Sequence, residues 1–96
     1  MAENSNEDRE LLEIEHRRYR IDADLKYSLA RFGDYIAKRE QYRSNISGLD
    51  ALSFYLIQKH HWTPATVREM SIEDMRFALA EEMHGWTMPP EARLQV

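Results

Sequence analysis

Apolar residues recur at helical spacing through the N-terminal part of this 96-residue chain. When each residue advances about 100° around a helix axis, these residues fall within a stripe roughly 80° wide, the width of a contact face that packs against one or two partners. The stripe consists of Leu11, Ile14, Ile21, Leu25, Leu29, Phe32 and Ile36. This spacing predicts one long helix from about residue 7 to about residue 43, with Gly33 as the position where it could bend.

Polar residues mark the predicted start of this helix. Ser5 or Asn6 provides a capping side chain, and acidic residues fill the first turn, where the helix dipole favours negative charge. Residues 1–6 have no large apolar side chain after the initiator and are predicted to be disordered.

The length of the predicted helix implies a partner. A helix over residues 7–43 would be roughly 55 Å long, about twice the diameter of a compact domain of this size. The rest of the chain has too few apolar residues to cover the stripe over that length, and a second copy is the simplest cover. The sequence therefore predicts a homodimer with Ile21, Leu25, Phe32 and Ile36 at its interface.

Start and stop signals divide the second half of the chain into three short helices. Each is preceded by a capping residue: Ser47 before residues 48–60, Thr63 before residues 64–70, and Ser71 before residues 72–84. Gly85 and the Pro89-Pro90 pair end the last helix and leave residues 91–96 as a tail. The predicted fold class is all-α: a single helical domain over residues 7–90, in which the long N-terminal helix packs with three shorter C-terminal helices as a helical bundle.

The composition excludes several classes of protein. The chain has no cysteine, which excludes disulfide frameworks, thiol nucleophiles and cysteine-ligated metals. Its uncharged stretch over residues 51–58 is far shorter than the roughly 20 apolar residues that cross a bilayer, and its N-terminus is acidic and polar. We therefore expect a cytoplasmic protein that does not insert into a membrane.

Charge is distributed unevenly along the chain, whose net charge is −4 at pH 7. Residues 17–43 carry eight basic residues against four acidic ones, a local balance of +4, whereas both flanking regions are acidic. On the long helix, basic and tyrosine side chains lie on the side away from the apolar stripe. This basic face, the candidate partner-binding surface, consists of Arg17, Arg20, Tyr27, Arg31, Tyr35, Lys38 and Tyr42.

Three interpretations of the basic face stay open. Arg and Tyr are prominent among the residues that dominate protein–protein interfaces. They also suit phosphates and stacked bases, which would make the chain a nucleic-acid-binding regulator. Finally, Glu13 precedes Arg17 by four residues and Asp34 precedes Lys38 by four, which is the spacing of ordinary helix-stabilising ion pairs on a solvated face.

Two Glu-x-x-His pairs, Glu13 with His16 and Glu81 with His84, have the spacing found in helical bundles that bind paired iron or manganese. The helix over residues 48–60 has no glutamate to complete such a cage, and solvated helix faces account for both pairs. The sequence also contains no nucleophile triad and no glycine-rich phosphate loop. We therefore expect no catalytic residue, no metal and no cofactor.

Aromatic residues follow two of the short helices directly. Trp62 and Trp86 are predicted to fold back as lids over the core. His60 and His61 lie where a helix ends, a position in which a histidine can bond unpaired carbonyls.

Residues 52–83 combine an aromatic-rich helix, the sequence Trp62-Thr63-Pro64, a short helix ending at Met70 and a capped acidic-apolar helix. This succession resembles that of small helical accessory proteins of tailed phages, including tail-assembly chaperones. It covers a third of the chain and does not include the long helix. The resemblance implies a noncatalytic chaperone or adaptor that engages the helices of another protein, encoded by a phage or mobile element.

The function expected from the sequence is a noncatalytic protein–protein interaction module, acting as an adaptor, chaperone or inhibitor of a larger assembly. The alternative is a nucleic-acid-binding regulator that uses the basic face of the long helix.

Overall fold

A computed structural model describes the backbone of residues 2–93 and the side chains of residues 7–93. The helices are α1 (Ala2–Arg39), α2 (Gly48–His60), α3 (Pro64–Arg68), α4 (Ile72–Ala78) and α5 (Ala80–Met83), followed by a 3-10 turn over Pro90–Ala92. No strand occurs among residues 2–93. The predicted all-α fold, with a long N-terminal helix packed against shorter ones, is confirmed.

The long helix runs without interruption through Gly33, and both of its ends differ from the prediction. Its backbone is helical from Ala2, whereas the sequence places the start near residue 7; Met1 lies outside the described residues. Each residue added to an existing helix gains a hydrogen bond without repeating the cost of nucleation, which favours this extension. At its other end α1 stops at Arg39 rather than at residue 43.

A Schellman turn ends α1. Gln41 has a left-handed backbone with φ of 53°, its N–H donates to the carbonyl of Lys38, and the N–H of Tyr42 donates to the carbonyl of Ala37. Glycine is the usual residue at this position, and because glutamine occupies it, the sequence carried no stop signal here.

The core lies between the C-terminal half of α1 and the short helices. Its buried apolar side chains are Leu29, Phe32 and Ile36 from α1, Leu52 and Leu56 from α2, Val67 from α3, Met75 from α4, and Leu79 between α4 and α5. Burial of a side chain of this size contributes about 1.5–3 kcal/mol. Phe32 and Ile36, which the sequence placed at a dimer interface, are fully buried within their own chain, so the prediction is wrong for these two residues.

The backbones of α1 and α2 approach each other closely at Gly33. A Cβ atom built on Gly33 would lie 1.8 Å from the carbonyl oxygen of Gly48, so only glycine permits this approach. The carboxylate of Asp34 accepts a hydrogen bond of 2.8 Å from the N–H of Gly48. Ser47, the predicted cap, makes no capping hydrogen bond through its side chain, and Asp34 of α1 satisfies the first N–H of α2 in its place.

Two other predicted caps are confirmed. The Thr63 hydroxyl accepts from the N–H of Thr66 at 3.2 Å, and the Ser71 hydroxyl accepts from the N–H of Asp74 at 3.0 Å. The helix predicted over residues 72–84 is instead divided at Leu79, where the backbone leaves helical geometry and the side chain enters the core. The short helices therefore number four among the described residues rather than three.

The chain is elongated, with principal dimensions of 60 × 33 × 24 Å and a radius of gyration of 17.3 Å. A compact domain of this length would have a radius of gyration of about 12 Å. The excess comes from the N-terminal half of α1: every residue from 7 to 24 is exposed. We call residues 7–24 the arm and residues 25–93 the body.

We expect Gly33→Ala to destabilise the protein by about 1–3 kcal/mol, because the added methyl group meets the backbone of α2. In a helix without this contact the same change would stabilise by up to about 1 kcal/mol, so the sign of the effect tests the packing. Urea unfolding followed by circular dichroism gives the difference. Stabilisation in Gly33→Ala would contradict the close approach of the two helices.

Candidate partner-binding surface

The arm exposes large apolar side chains along its whole length. These are Leu11, Leu12, Ile14, Tyr19 and Ile21, and each has about half or more of its surface open to solvent. The described part of the chain buries its other large aliphatic side chains fully or partly, so this concentration is a property of the arm. A row of exposed apolar side chains of this kind marks an interaction surface.

Three of these residues continue the buried face of α1. Leu11, Ile14 and Ile21 lie within about 60° of Phe32 around the helix axis, and Arg18 lies among them. We call this row, Leu11, Ile14, Arg18 and Ile21, the seam face of the arm. Leu25, half-buried against the core, marks the point at which the short helices begin to cover it.

The charges of the arm are divided along its axis. Residues 7–15 contain five carboxylates and one arginine, and three arginines follow within residues 17–20. Arg9 and Glu13 form an exposed ion pair of 3.6 Å at the i, i+4 spacing of a helix. The arm therefore has an acidic N-terminal part and a basic centre.

The structure does not bring the predicted basic face together as one surface. Arg17 and Arg20 are exposed on the arm, and Lys38 is exposed near the end of α1 on the body. Between them, Tyr27 donates a hydrogen bond of 2.6 Å to the carbonyl oxygen of Ala92, so the C-terminal segment covers this part of the helix. Of the predicted tail over residues 91–96, the described residues 91–93 are attached to α1 through this hydrogen bond.

Arg31 belongs to the same internal packing. Its guanidinium lies 5.2 Å from the centre of the Tyr27 ring. Its Nε lies 3.2 Å from the carboxylate of Asp34, so the two side chains form an ion pair, but the geometry of this contact is not that of a hydrogen bond. Because Asp34 also caps α2, Arg31 supports the junction between α1 and α2. It is only partly open to a partner.

The remaining two tyrosines also pack within the chain. Tyr35 stacks on Phe32 with 5.7 Å between ring centres, and Trp86 lies 6.5 Å from it. Tyr42 meets the edge of Phe54 at 4.9 Å, and burial is the main cause that raises the pKa of the Tyr42 hydroxyl. The three tyrosines therefore do not form one exposed face, although Tyr35 keeps 43% of its surface open to solvent, and their partner-binding role stays a prediction.

Trp86 confirms one aromatic prediction. Its ring contacts Phe32 edge-on at 5.2 Å and closes the core over the C-terminal half of α1. Trp62 is half-buried against the core, and its ring stacks on His60 at 4.4 Å.

Sequence reasoning missed a polar cluster between α2 and α5. The carboxylate of Glu82 pairs with Lys59 and accepts a hydrogen bond of 3.4 Å from the Tyr55 hydroxyl. The guanidinium of Arg39 lies 5.5 Å from the centre of the Tyr55 ring. Burial of this guanidinium lowers its pKa, but its interactions with Glu40 and Tyr55 have the larger combined effect, so the pKa is raised. No spacing rule links these distant positions, and the cluster joins helices rather than forming a reactive site.

The side chains of the two Glu-x-x-His pairs lie on separate parts of the molecule, one pair on the arm and one at α5. Within residues 7–93, no group of three or more histidine, aspartate or glutamate side chains is arranged to hold a metal ion. Among the described helices, none has the length and apolar character needed to span a bilayer.

The body also exposes apolar side chains, and Phe77 on α4 is the most open of them. It is 85% exposed and borders a shallow depression together with Arg76, Met83 and His84. Phe77 lies two residues from the buried Met75, about 200° around the helix, so helical periodicity places it on the face opposite the core.

Comparison with protein-family models, with curated proteins and with solved structures finds no significant match to this chain. The functional argument therefore depends on the geometry of the arm and body.

We expect Tyr27→Phe to loosen the C-terminal segment, because it removes the hydrogen bond to the Ala92 carbonyl and costs about 1 kcal/mol. The amides of Ala92 and Arg93, which donate to Pro89 and Pro90, should then exchange with solvent faster. Hydrogen exchange measured by NMR checks this, with Tyr19→Phe on the exposed arm as the matched control. Equal exchange in the two variants would contradict the role assigned to Tyr27.

Proposed function

We propose that this chain is a noncatalytic protein-interaction module, in which the body holds the arm for contact with another polypeptide. The observation that carries the proposal is the row of exposed large apolar side chains on the arm. Exposing these side chains to water is unfavourable, and contact with an apolar surface of a partner removes that cost.

The form of the arm supports recognition through a helix face. The body anchors α1 through Leu29, Phe32 and Ile36, and the helix continues from there into the arm without a break. Side chains at positions 11, 14, 18 and 21 repeat at the three- and four-residue intervals by which amphipathic helices fill grooves or pair with other helices. The arm is thus held in its binding conformation before a partner arrives, which lowers the entropy cost of binding.

The resemblance of residues 52–83 to accessory proteins of tailed phages favours the same class of function. In this proposal the protein is a cytoplasmic adaptor, chaperone or inhibitor of phage or mobile-element origin that acts by occupying a helical surface of a larger assembly. Self-association of the chain through the arm belongs to the same proposal.

The nucleic-acid alternative has less support from the geometry. Its aromatic component is reduced, because Tyr27 and Tyr42 are engaged within the chain. The exposed arginines of the arm also have acidic neighbours such as Glu13, which weaken attraction to phosphates. Protein contact through the seam face is favoured over phosphate contact for these reasons.

The proposal is tested with a double variant, Ile14→Asp/Ile21→Asp, in the full-length tagged protein. Both side chains are exposed, so we expect the melting temperature to change by no more than about 3 °C. Affinity purification from the source cell with quantitative mass spectrometry should show that the double variant loses the polypeptides that the wild type retains.

Phe77→Asp provides the control, because it places one carboxylate on an exposed apolar position of the body. We expect this variant to retain the partners. If the arm variant retains every partner of the wild type, or if nuclease treatment removes them all, the arm is not a protein-binding element and the proposal fails.

A further inference from the structure

We propose that the seam face is covered by the same face of a second copy of this chain, with the two arms antiparallel and a two-fold axis passing beside His16. This inference rests on the proposed function and specifies its partner. It is carried by three features of the arm: the positions of its apolar residues, the position of Arg18, and the length available before the body begins.

The apolar positions are self-complementary about His16. In an antiparallel pair, seam residues equally far on either side of the axis lie next to each other, whereas a residue on the flank of the seam faces the same flank of the second copy. Leu11 lies five residues before His16 and Ile21 lies five residues after it, so each Leu11 contacts Ile21 of the second copy. A two-fold axis repeats every contact, as in a closed homodimer.

Arg18 distinguishes the antiparallel arrangement from the parallel one. A parallel pair in register would place Arg18 against Arg18 within the apolar seam, which leaves two like charges partly desolvated. The antiparallel pair places Arg18 beside Ile14 of the second copy, where its aliphatic stem covers the isoleucine. From there its guanidinium is directed toward Glu15 of the second copy, which supplies the opposite charge.

The length of the arm selects this register among the antiparallel ones. With the axis at His16, Glu7 of one chain lies beside Leu25 of the other, so the pairing fills the arm and ends where the body begins. A shift of seven residues in one direction would push the second arm into Phe32, which the short helices already cover. The opposite shift would leave Ile21 without an apolar partner.

The flanking charges limit the strength of the pair. Glu15 faces Glu15 and Arg17 faces Arg17 near the axis, and only Arg18 offsets the first of these repulsions. In the same pairing Asp8 faces Asp22 and Glu10 faces Asp24, so these flanking contacts also repel. We therefore expect a weak, concentration-dependent dimer rather than a permanent one, with Arg18 as the group that sets its orientation.

Leu11 and Leu12 provide a matched test of the seam. They are adjacent and equally exposed, at 64% and 65%, but point about 100° apart, and only Leu11 lies on the seam face. In sedimentation equilibrium, Leu11→Asp should raise the dimer dissociation constant at least tenfold, whereas Leu12→Asp should leave it within about twofold of wild type. Equal effects of the two substitutions would overturn the assignment of the seam.

Charge reversal tests the orientation. Arg18→Glu should weaken the antiparallel dimer, because it places a carboxylate near Glu15 of the second copy. The double variant Glu15→Arg/Arg18→Glu restores opposite charges and should recover wild-type association. Glu15 and Arg18 are also neighbours within each helix, but in a parallel pair position 18 faces position 18 with like charges in every variant, so Arg18→Glu would leave association near wild type. That result, or absence of recovery in the double variant, would overturn the antiparallel arrangement.

A single spin label gives the orientation directly, since the chain has no cysteine and Asp8→Cys introduces a unique site. In the antiparallel dimer the two labels are separated by about 25 Å along the helices, whereas in a parallel dimer they lie within about 15 Å. A protein that stays monomeric at high concentration overturns the second copy as occupant. In that case the proposed function is judged separately, by whether a different polypeptide depends on Ile14 and Ile21 in the affinity purification.

Discussion

The close approach of two backbones at Gly33 is the contact on which the arrangement of the chain depends. Gly33 lets the first turn of α2 rest directly on α1, and Asp34 then caps that turn through the N–H of Gly48. Because α2 is fixed there, the residues of α1 that are buried with its apolar side chains are Leu29, Phe32 and Ile36, all in the C-terminal half of α1. The position of one glycine thereby decides which half of α1 enters the core and which half becomes the arm.

Local signals predicted the elements of this fold well. The apolar stripe predicted a long helix, and Thr63 and Ser71 cap the helices that follow them, because these signals act over three or four residues of chain. The signals that failed are those that depend on distant residues. Asp34 replaces Ser47 as the cap of α2, and Gln41 ends α1 where a glycine would be expected.

The sequence predicted which residues of α1 share one face of the helix, but not how much of that face the rest of the chain covers. Helical periodicity shows that Ile21 and Phe32 share a face, yet it cannot show that α2 and α4 cover only the second of them. The tyrosines illustrate the same limit: Tyr27 was placed correctly on the side opposite the stripe, but a carbonyl 65 residues later in the chain occupies its hydroxyl. Cover supplied by distant segments is a tertiary property, and a single sequence does not encode it in any local pattern.

The body also explains how an arm whose residues are all exposed can be helical. An isolated helix of this length is marginal in water, because the first turn must form before any hydrogen bond stabilises it. Here the core holds the turns at Leu29 and Phe32, so the arm extends a helix that already exists, with local support from pairs such as Arg9 with Glu13. Contact along the seam face would bury its apolar side chains and so stabilise the helical arm further. Binding of a partner and the helical stability of the arm are therefore coupled. The core buries the C-terminal residues of the apolar stripe and thereby holds α1 in place. The N-terminal residues of the stripe consequently lie exposed on a formed helix, as pairing with a second helix requires.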